Sequence, residues 1–300
     1  MPNDKLRNYL HLHFIIFIWG FTAVLGALIS IDAIPLVWYR MLLAVVFVVL
    51  YIKIKGFSIK VPRRVLLGLV ITGIIIALHW ITFFMAIKVS NVSVTLAIMS
   101  TGALFTAILE PFWYKRKMIW YEVLLGGIVI VGLYIIFKIE TEYVFGIVLA
   151  LTASFLASVF ALINGKYVKQ YRASIISFYE LLSGMVFVSC YLLFSGTIDM
   201  DFFVLTINDW FYLVLLASIC TAYAFIAGVH VMRHISPYTV MLSVNMEPVY
   251  GIILAFLILG DKEKMSPQFY VGALIIFATV IANGIIKNFI KKSASYGNAY

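Results

Sequence analysis

Long apolar runs follow one another along this chain, broken only by short clusters of charge or by Pro, Gly and Asn. The runs are His11–Ile31, Pro35–Ile54, Val65–Ile87, Val92–Tyr114, Ile119–Phe137, Phe145–Ile163, Ser174–Phe194, Trp210–Val231, Pro237–Leu259 and Pro267–Ile286. Each holds about 20 residues, which at about 1.5 Å per residue crosses about 30 Å of hydrocarbon. A membrane β-barrel would instead alternate apolar and polar positions in segments of about ten. The pattern therefore predicts an all-α integral membrane protein of about ten transmembrane helices. The first run resembles a signal peptide in its basic flank, but it is longer than a signal core and reads as an uncleaved span.

Charge then fixes an orientation. With loops assigned alternately and the N-terminus inside, seventeen of the 22 Lys and Arg residues fall inside, four fall outside, and Arg40 lies in a helix. Short inner loops carry such an excess of basic residues, so both termini are expected on the cytoplasmic side. The outer connections are acidic or neutral, with Asp32, Glu140, Glu142, Asp199, Asp201, Asp209, Asp261 and Glu263. Trp38, Trp80, Trp113, Trp120 and Trp210 fall near the predicted span ends, as interfacial anchors would.

Composition agrees: 64% of residues are hydrophobic and 12% are charged, about half the charge of a soluble domain. The net charge of +9 is spread over short loops, which argues against a nucleic-acid partner. Cys190 and Cys220 lie inside apolar runs and read as core residues. The polar tail Ser293–Tyr300 reads as disordered.

Self-comparison reveals a repeat. Under a shift of 140 residues Tyr39, Leu42, Val46, Phe47, Val48 and Tyr51 match Tyr179, Leu182, Val186, Phe187, Val188 and Tyr191, and Arg40 faces Glu180. Under a shift of 146, Ser90, Leu96, Gly126 and Ile130 match Ser236, Leu242, Gly272 and Ile276. The predicted halves are 1–138 and 139–300. Five spans per half is an odd number, so the second half is expected inverted, with Lys115-Arg116-Lys117 inside and Asp261-Lys262-Glu263 outside. Inverted halves rock about a central site and expose it to each side in turn.

A charge inside the bilayer costs about 2.5–3.5 kcal/mol on the insertion scale and marks a functional candidate. Glu247 leads, as a proton carrier, a partner for a substrate amine, or a structural hydrogen bond between helices. Pro248 follows it, and Ser243, Tyr250 and Gly251 share its predicted face. Arg40 reads either as an anion-attracting group or as a side chain that snorkels to the interface or locks neighbouring loops; Glu180, its counterpart, is likewise either a functional charge or a structural one. His79 and His230 are titratable candidates whose alternative is packing. Ser93, Ala97 and Thr101 form a small-residue stripe suited to close packing or to a hydroxyl-lined cavity. Trp19, Trp80 and Phe84 are candidate apolar walls. Gly20, Gly26, Gly102, Gly126, Gly127 and Gly251 are candidate points of close approach or bending. The sequence holds no metal motif, phosphate loop, paired catalytic carboxylates or channel filter, so no cofactor is expected.

Trp19-Gly20, Tyr39-Arg40-Met41-Leu42-Leu43-Ala44, Glu247-Pro248, Leu259-Gly260-Asp261 and Gly272-Ala273, in this order, resemble the drug/metabolite transporter superfamily, specifically its EamA-type exporters. The chain departs from that pattern at Gly102, where proline is usual, and at Trp113-Tyr114-Lys115, where leucine-glycine-glutamate is usual. The resemblance implies a secondary transporter that exports amino acids or related small metabolites by alternating access. It would sit in the cytoplasmic membrane of a bacterium, with a small-molecule substrate and a coupled proton or ion as partners. A lipid flippase is the alternative on the same fold, and a membrane-embedded enzyme is the rival class.

Overall fold

The computed structural model describes residues 2–115, 120–139, 141–235 and 237–297. Arg116, Lys117, Glu140, Ser236 and residues 298–300 lie outside the described residues. Among the described residues the chain is helical and has no strand, as hydrocarbon demands of a backbone that must satisfy its own polar groups. The helices are α1 (Pro2–Leu28), α2 (Ala33–Ile54), α3 (Arg63–Val89), α4 (Val92–Met99), α5 (Gly102–Tyr114), α6 (Trp120–Ile139), α7 (Val144–Tyr167), α8 (Ala173–Phe194), α9 (Ile207–Ala217), α10 (Ala224–Val231), α11 (Pro237–Val244), α12 (Glu247–Leu259) and α13 (Pro267–Gly297). The last helix runs through the part of the polar tail expected to be disordered, as far as Gly297.

Among the described residues seven helical stretches are long and apolar enough to cross a membrane: Leu6–Leu28, Ala33–Ile54, Arg63–Val89, Val92–Tyr114, Thr141–Tyr167, Ala173–Phe194 and Ile207–Val231. Leu124–Ile136 and Pro267–Thr279 are shorter apolar stretches within α6 and α13. The expected run Pro237–Leu259 is split into α11 and α12. The same division cuts Val92–Tyr114 into α4 and α5, and in both cases a helix of 8 residues is followed by one of 13.

A helix can break at membrane depth only where other groups satisfy the freed backbone. Between α4 and α5, Thr101 Oγ1 lies 2.8 Å from Ile98 O and 3.0 Å from Ser154 Oγ of α7. Ser154 Oγ reaches Met99 O at 3.1 Å, and Ser158 Oγ donates to Gly102 O at 2.8 Å. Small hydroxyls on α7 thus meet the interruption. At the start of α4 the Glu263 carboxylate accepts from Val92 N at 3.1 Å, Ser93 N at 2.8 Å and Ser93 Oγ at 2.9 Å. Negative charge is favourable at a helix N-terminus.

Two of the acidic residues assigned to the outer connections, Glu263 and Asp209, are not solvated. Both are buried, and Asp209 accepts from Ser30 N and Ser30 Oγ at 2.7 Å and from Thr206 Oγ1 at 2.6 Å. Cys190 is a further correction, since it faces outward whereas Cys220 is buried. A lipid-facing position tolerates a small apolar thiol as readily as a core does.

The helices form a main core from α1, α2, α3 and α8 to α10, with α7 and α12 packed against it, while α6 and α13 pair with each other. Glycine sets two of the closest crossings. A Cβ on Gly20 of α1 would lie 3.0 Å from Gly251 N of α12. One on Gly73 of α3 would lie 2.3 Å from Glu180 O and 2.1 Å from Ser183 Oγ, both on α8. Gly127, expected to matter in the same way, has open space where its Cβ would stand. Gly73→Ala must push two helices apart and is expected to cost about 1–3 kcal/mol. Gly127→Ala is expected to stabilise by about 0.5–1 kcal/mol through helix propensity alone. Thermal unfolding of the two purified variants in one detergent should move in opposite directions; equal shifts would contradict the crossing geometry.

Candidate functional site

Arg40 stands in the first half of α2 with 2% of its surface exposed, so it does not snorkel. Its Nε donates to Thr221 Oγ1 at 2.6 Å, and its Cζ lies 3.8 Å from the centre of the Trp80 ring and 5.4 Å from that of Phe84. The negative face of an indole ring attracts a guanidinium laid on it and takes part of the role of hydration. Nη1 has no hydrogen-bond partner among the described residues.

Thr221 owes its position to a departure from α geometry. Residues Ser218–Tyr223 form a π-helical turn between α9 and α10, and Thr221 Oγ1 donates to Leu216 O, five residues back, at 2.7 Å. Such turns widen a helix locally and recur at functional sites. Here the turn brings a hydroxyl oxygen against the guanidinium.

Arg40 opens onto a cavity of about 100 Å³. Trp19, Trp80, Phe83, Phe160 and Phe225 supply its aromatic wall, and Met99, Met232 and Met241 line it with thioether side chains. The remaining polar lining is Thr22, His79, Cys220 and Glu247. Glu247 is the first residue of α12, with Pro248 next to it. Proline suits a first helical turn, where its missing N–H has no partner to lose. The helix break therefore delivers the carboxylate to the cavity from a helix start. Arg40 and Glu247 lie in each other's electrostatic field.

Of the residues singled out in the sequence, the cavity gathers Arg40, Glu247, His79, Trp19 and Trp80. His79 is also bonded, its Nδ1 lying 2.8 Å from Ala153 O of α7. The others lie elsewhere. Thr101 serves the α4–α5 break. Ser243 Oγ donates to Thr239 O within α11 at 2.9 Å. The Tyr250 ring packs edge-on to Phe17 at 5.7 Å. His230 is exposed, 5.5 Å from the His234 ring, and lines a separate groove of about 610 Å³ with Arg172 and Arg233. Glu180 is wholly buried between α8 and α7. Trp80, expected as an interfacial anchor, is the platform under Arg40.

Sequence reasoning missed Thr221, Thr22, Phe160 and Phe225. Thr22 was within reach, since it follows Trp19 by one turn on the same face of α1. Thr221 was not: a π turn leaves no periodicity signal in an apolar run.

An uncharacterized transporter from Archaeoglobus fulgidus is 24% identical to this chain over 288 residues, covering 93% of the chain and 96% of the relative. A crystal structure of a protein 14% identical shares the fold, with a TM-score of 0.66 over 93% of this chain and 97% of that one. The model of the EamA-like transporter family matches residues 9–138 and again 144–284, and the chain, a membrane protein, belongs to that family.

Proposed function

We propose that this transporter exports amino acids or related small metabolites by alternating access, with the cavity at Arg40 and Glu247 as its solute site. One observation carries the reading: a buried guanidinium, fixed at Nε and stacked on Trp80, leaves Nη1 without a partner among the described residues. That donor suits a carboxylate, and Glu247 suits an amine. A cavity of about 100 Å³ with aromatic walls is of the order that holds a benzene-sized group. Glu247 is the candidate proton carrier.

The mechanism we infer needs ten spans in two inverted halves, 1–138 and 139–300. Two features support it: one family model matches the chain twice, and the two broken helices repeat the same lengths. The excess of inner-loop basic residues supports cytoplasmic termini, in the cytoplasmic membrane of a bacterium. A flippase is the second reading, favoured by the apolar groove that Arg172, His230 and Arg233 line together with Phe47, Val48 and Ile226.

Purified protein in liposomes should show counterflow of one or more labels from a pool of amino acids and small metabolites. Movement of a fluorescent phospholipid without any solute counterflow would favour the flippase. Arg40→Ala is expected to cut solute counterflow about tenfold or more, the worth of one charged hydrogen bond. Arg40→Lys should not restore it, because an ammonium lacks the planar stack and the Nε donor. Glu247→Gln should flatten the pH dependence of transport; a wild-type rate with an unchanged pH profile sinks the carrier role.

The chain's own thiols report occupancy. Cys190→Ser leaves Cys220, on the cavity wall, as the remaining cysteine of the 2. A small methanethiosulfonate reagent should label it, and a saturating transported solute should slow that labelling severalfold. Labelling that is indifferent to the solute would place binding elsewhere.

A further inference from the structure

Away from the cavity, α7 and α8 enclose a second polar cluster that transport at Arg40 does not use. Glu180 is 0% exposed, as are Asn164 and Ser177. Asn164 Nδ2 donates to Glu180 Oε2 at 3.3 Å, and this is the carboxylate's hydrogen bond among the described residues. Three oxygens remain without a partner: Glu180 Oε1, Asn164 Oδ1 and Ser177 Oγ. Ser177 precedes Glu180 by one turn on the same face of α8.

A carboxylate so placed needs a counter-charge, because burial without one is prohibitive. No lysine or arginine supplies it among the described residues; the side chain that bonds it is the Asn164 amide. A proton on Glu180 would let Oε1 donate to one of the other two oxygens and would leave the third without a partner. A metal ion serves all three at once. The donors are a carboxylate, an amide oxygen and a hydroxyl, the hard oxygen set that alkali and alkaline-earth ions take and that softer metals do not prefer. One negative charge balances one positive charge, so a divalent ion would leave an excess buried. Asn164 presents its amide nitrogen to one carboxylate oxygen, which leaves its own oxygen free to face a cation.

We propose that Asn164, Ser177 and Glu180 form a binding site for a monovalent alkali cation, sodium in the first instance. The site bears on the neighbouring helix. Gly73 of α3 presses against the Glu180 backbone, and one to three turns further on α3 carries His79, Trp80 and Phe83 to the solute cavity. A cation that draws α7 and α8 together therefore also fixes the wall behind Arg40.

The test is thermal unfolding of the purified full chain, with sodium chloride exchanged for choline chloride at constant ionic strength. Choline is too large to enter a buried oxygen cage. About 100 mM sodium is expected to raise the Tm by about 3 °C, as a ligand held tenfold above its Kd does for a chain of this size. Glu180→Gln should abolish the shift. Ser177→Ala, which removes one ligand and no charge, should move the half-saturating sodium concentration upward severalfold and keeps the test decisive if the glutamine variant fails to fold. Equal Tm in sodium and choline overturns the site, as does a full sodium response in Ser177→Ala and Glu180→Gln. Stabilisation by acid with no response to sodium assigns a proton to Glu180 and overturns it too. None of these readouts involves a solute, so failure of the counterflow assay and failure of this site are separate results.

Discussion

A guanidinium inside a membrane span has to be met by protein, and the arrangement around Arg40 follows from that requirement. Placing the charge there costs about 2.5–3.5 kcal/mol on the insertion scale and more by other reckonings. A desolvated stack on tryptophan is worth about 2 kcal/mol, and a hydrogen bond to a charged group about 1.5–3 kcal/mol. The two together are of the size needed, and each is present: Trp80 beneath the plane and Thr221 at Nε. Meeting the demand draws α2, α3 and the π turn after α9 to one point. Glu247 reaches the same point because α12 begins there. What is left over is a guanidinium nitrogen, Nη1, that has no partner among the described residues and stands beside a cavity.

The helix breaks belong to the same logic. An unbroken helix spends every backbone group on itself and brings side chains to a pocket only sideways. Interrupting it at Ser100-Thr101 and at Asn245-Met246 aims a helix start into the bundle. The first break is held by hydroxyls of α7. Glycine crossings complete the scheme, since Gly20 and Gly251 hold α1 against α12, and α1 and α12 carry Trp19 and Glu247 to the cavity.

The apolar runs gave the helices and most of their limits, because twenty-residue hydrophobic stretches leave little choice of structure. The cost of buried charge singled out Arg40 and Glu247, and both reached the cavity. Ser243 and Tyr250 did not accompany Glu247. Ser243 was projected through a continuous helix but stands on α11, before the break that opens α12 at Glu247, whereas Tyr250 shares α12 with Glu247 and packs against Phe17 of α1. His230 was grouped with His79 for its chemistry, yet one is exposed beside a lateral groove and the other is buried on the cavity wall. Trp80 was read both as an interfacial anchor and as an apolar wall, and it lines the cavity beneath Arg40. Seven described stretches meet the length and hydropathy of a crossing helix, and two shorter apolar stretches lie within α6 and α13.

Arg40 and Glu180, separated by 140 residues and flanked by the same pattern of Tyr, Leu, Val and Phe, show how far sequence likeness carries. Both are buried on helices of 22 residues. Backbone likeness puts each inside the bundle; it does not decide what meets the charge. A guanidinium is broad, planar and weakly hydrated, so aromatic faces and one hydroxyl suffice for it. A carboxylate is compact and strongly hydrated, and an aromatic face repels it. It needs donors or a cation, and α7 offers one amide N–H. The same burial thus leaves the positive residue half satisfied by its own chain and the negative one dependent on something that enters.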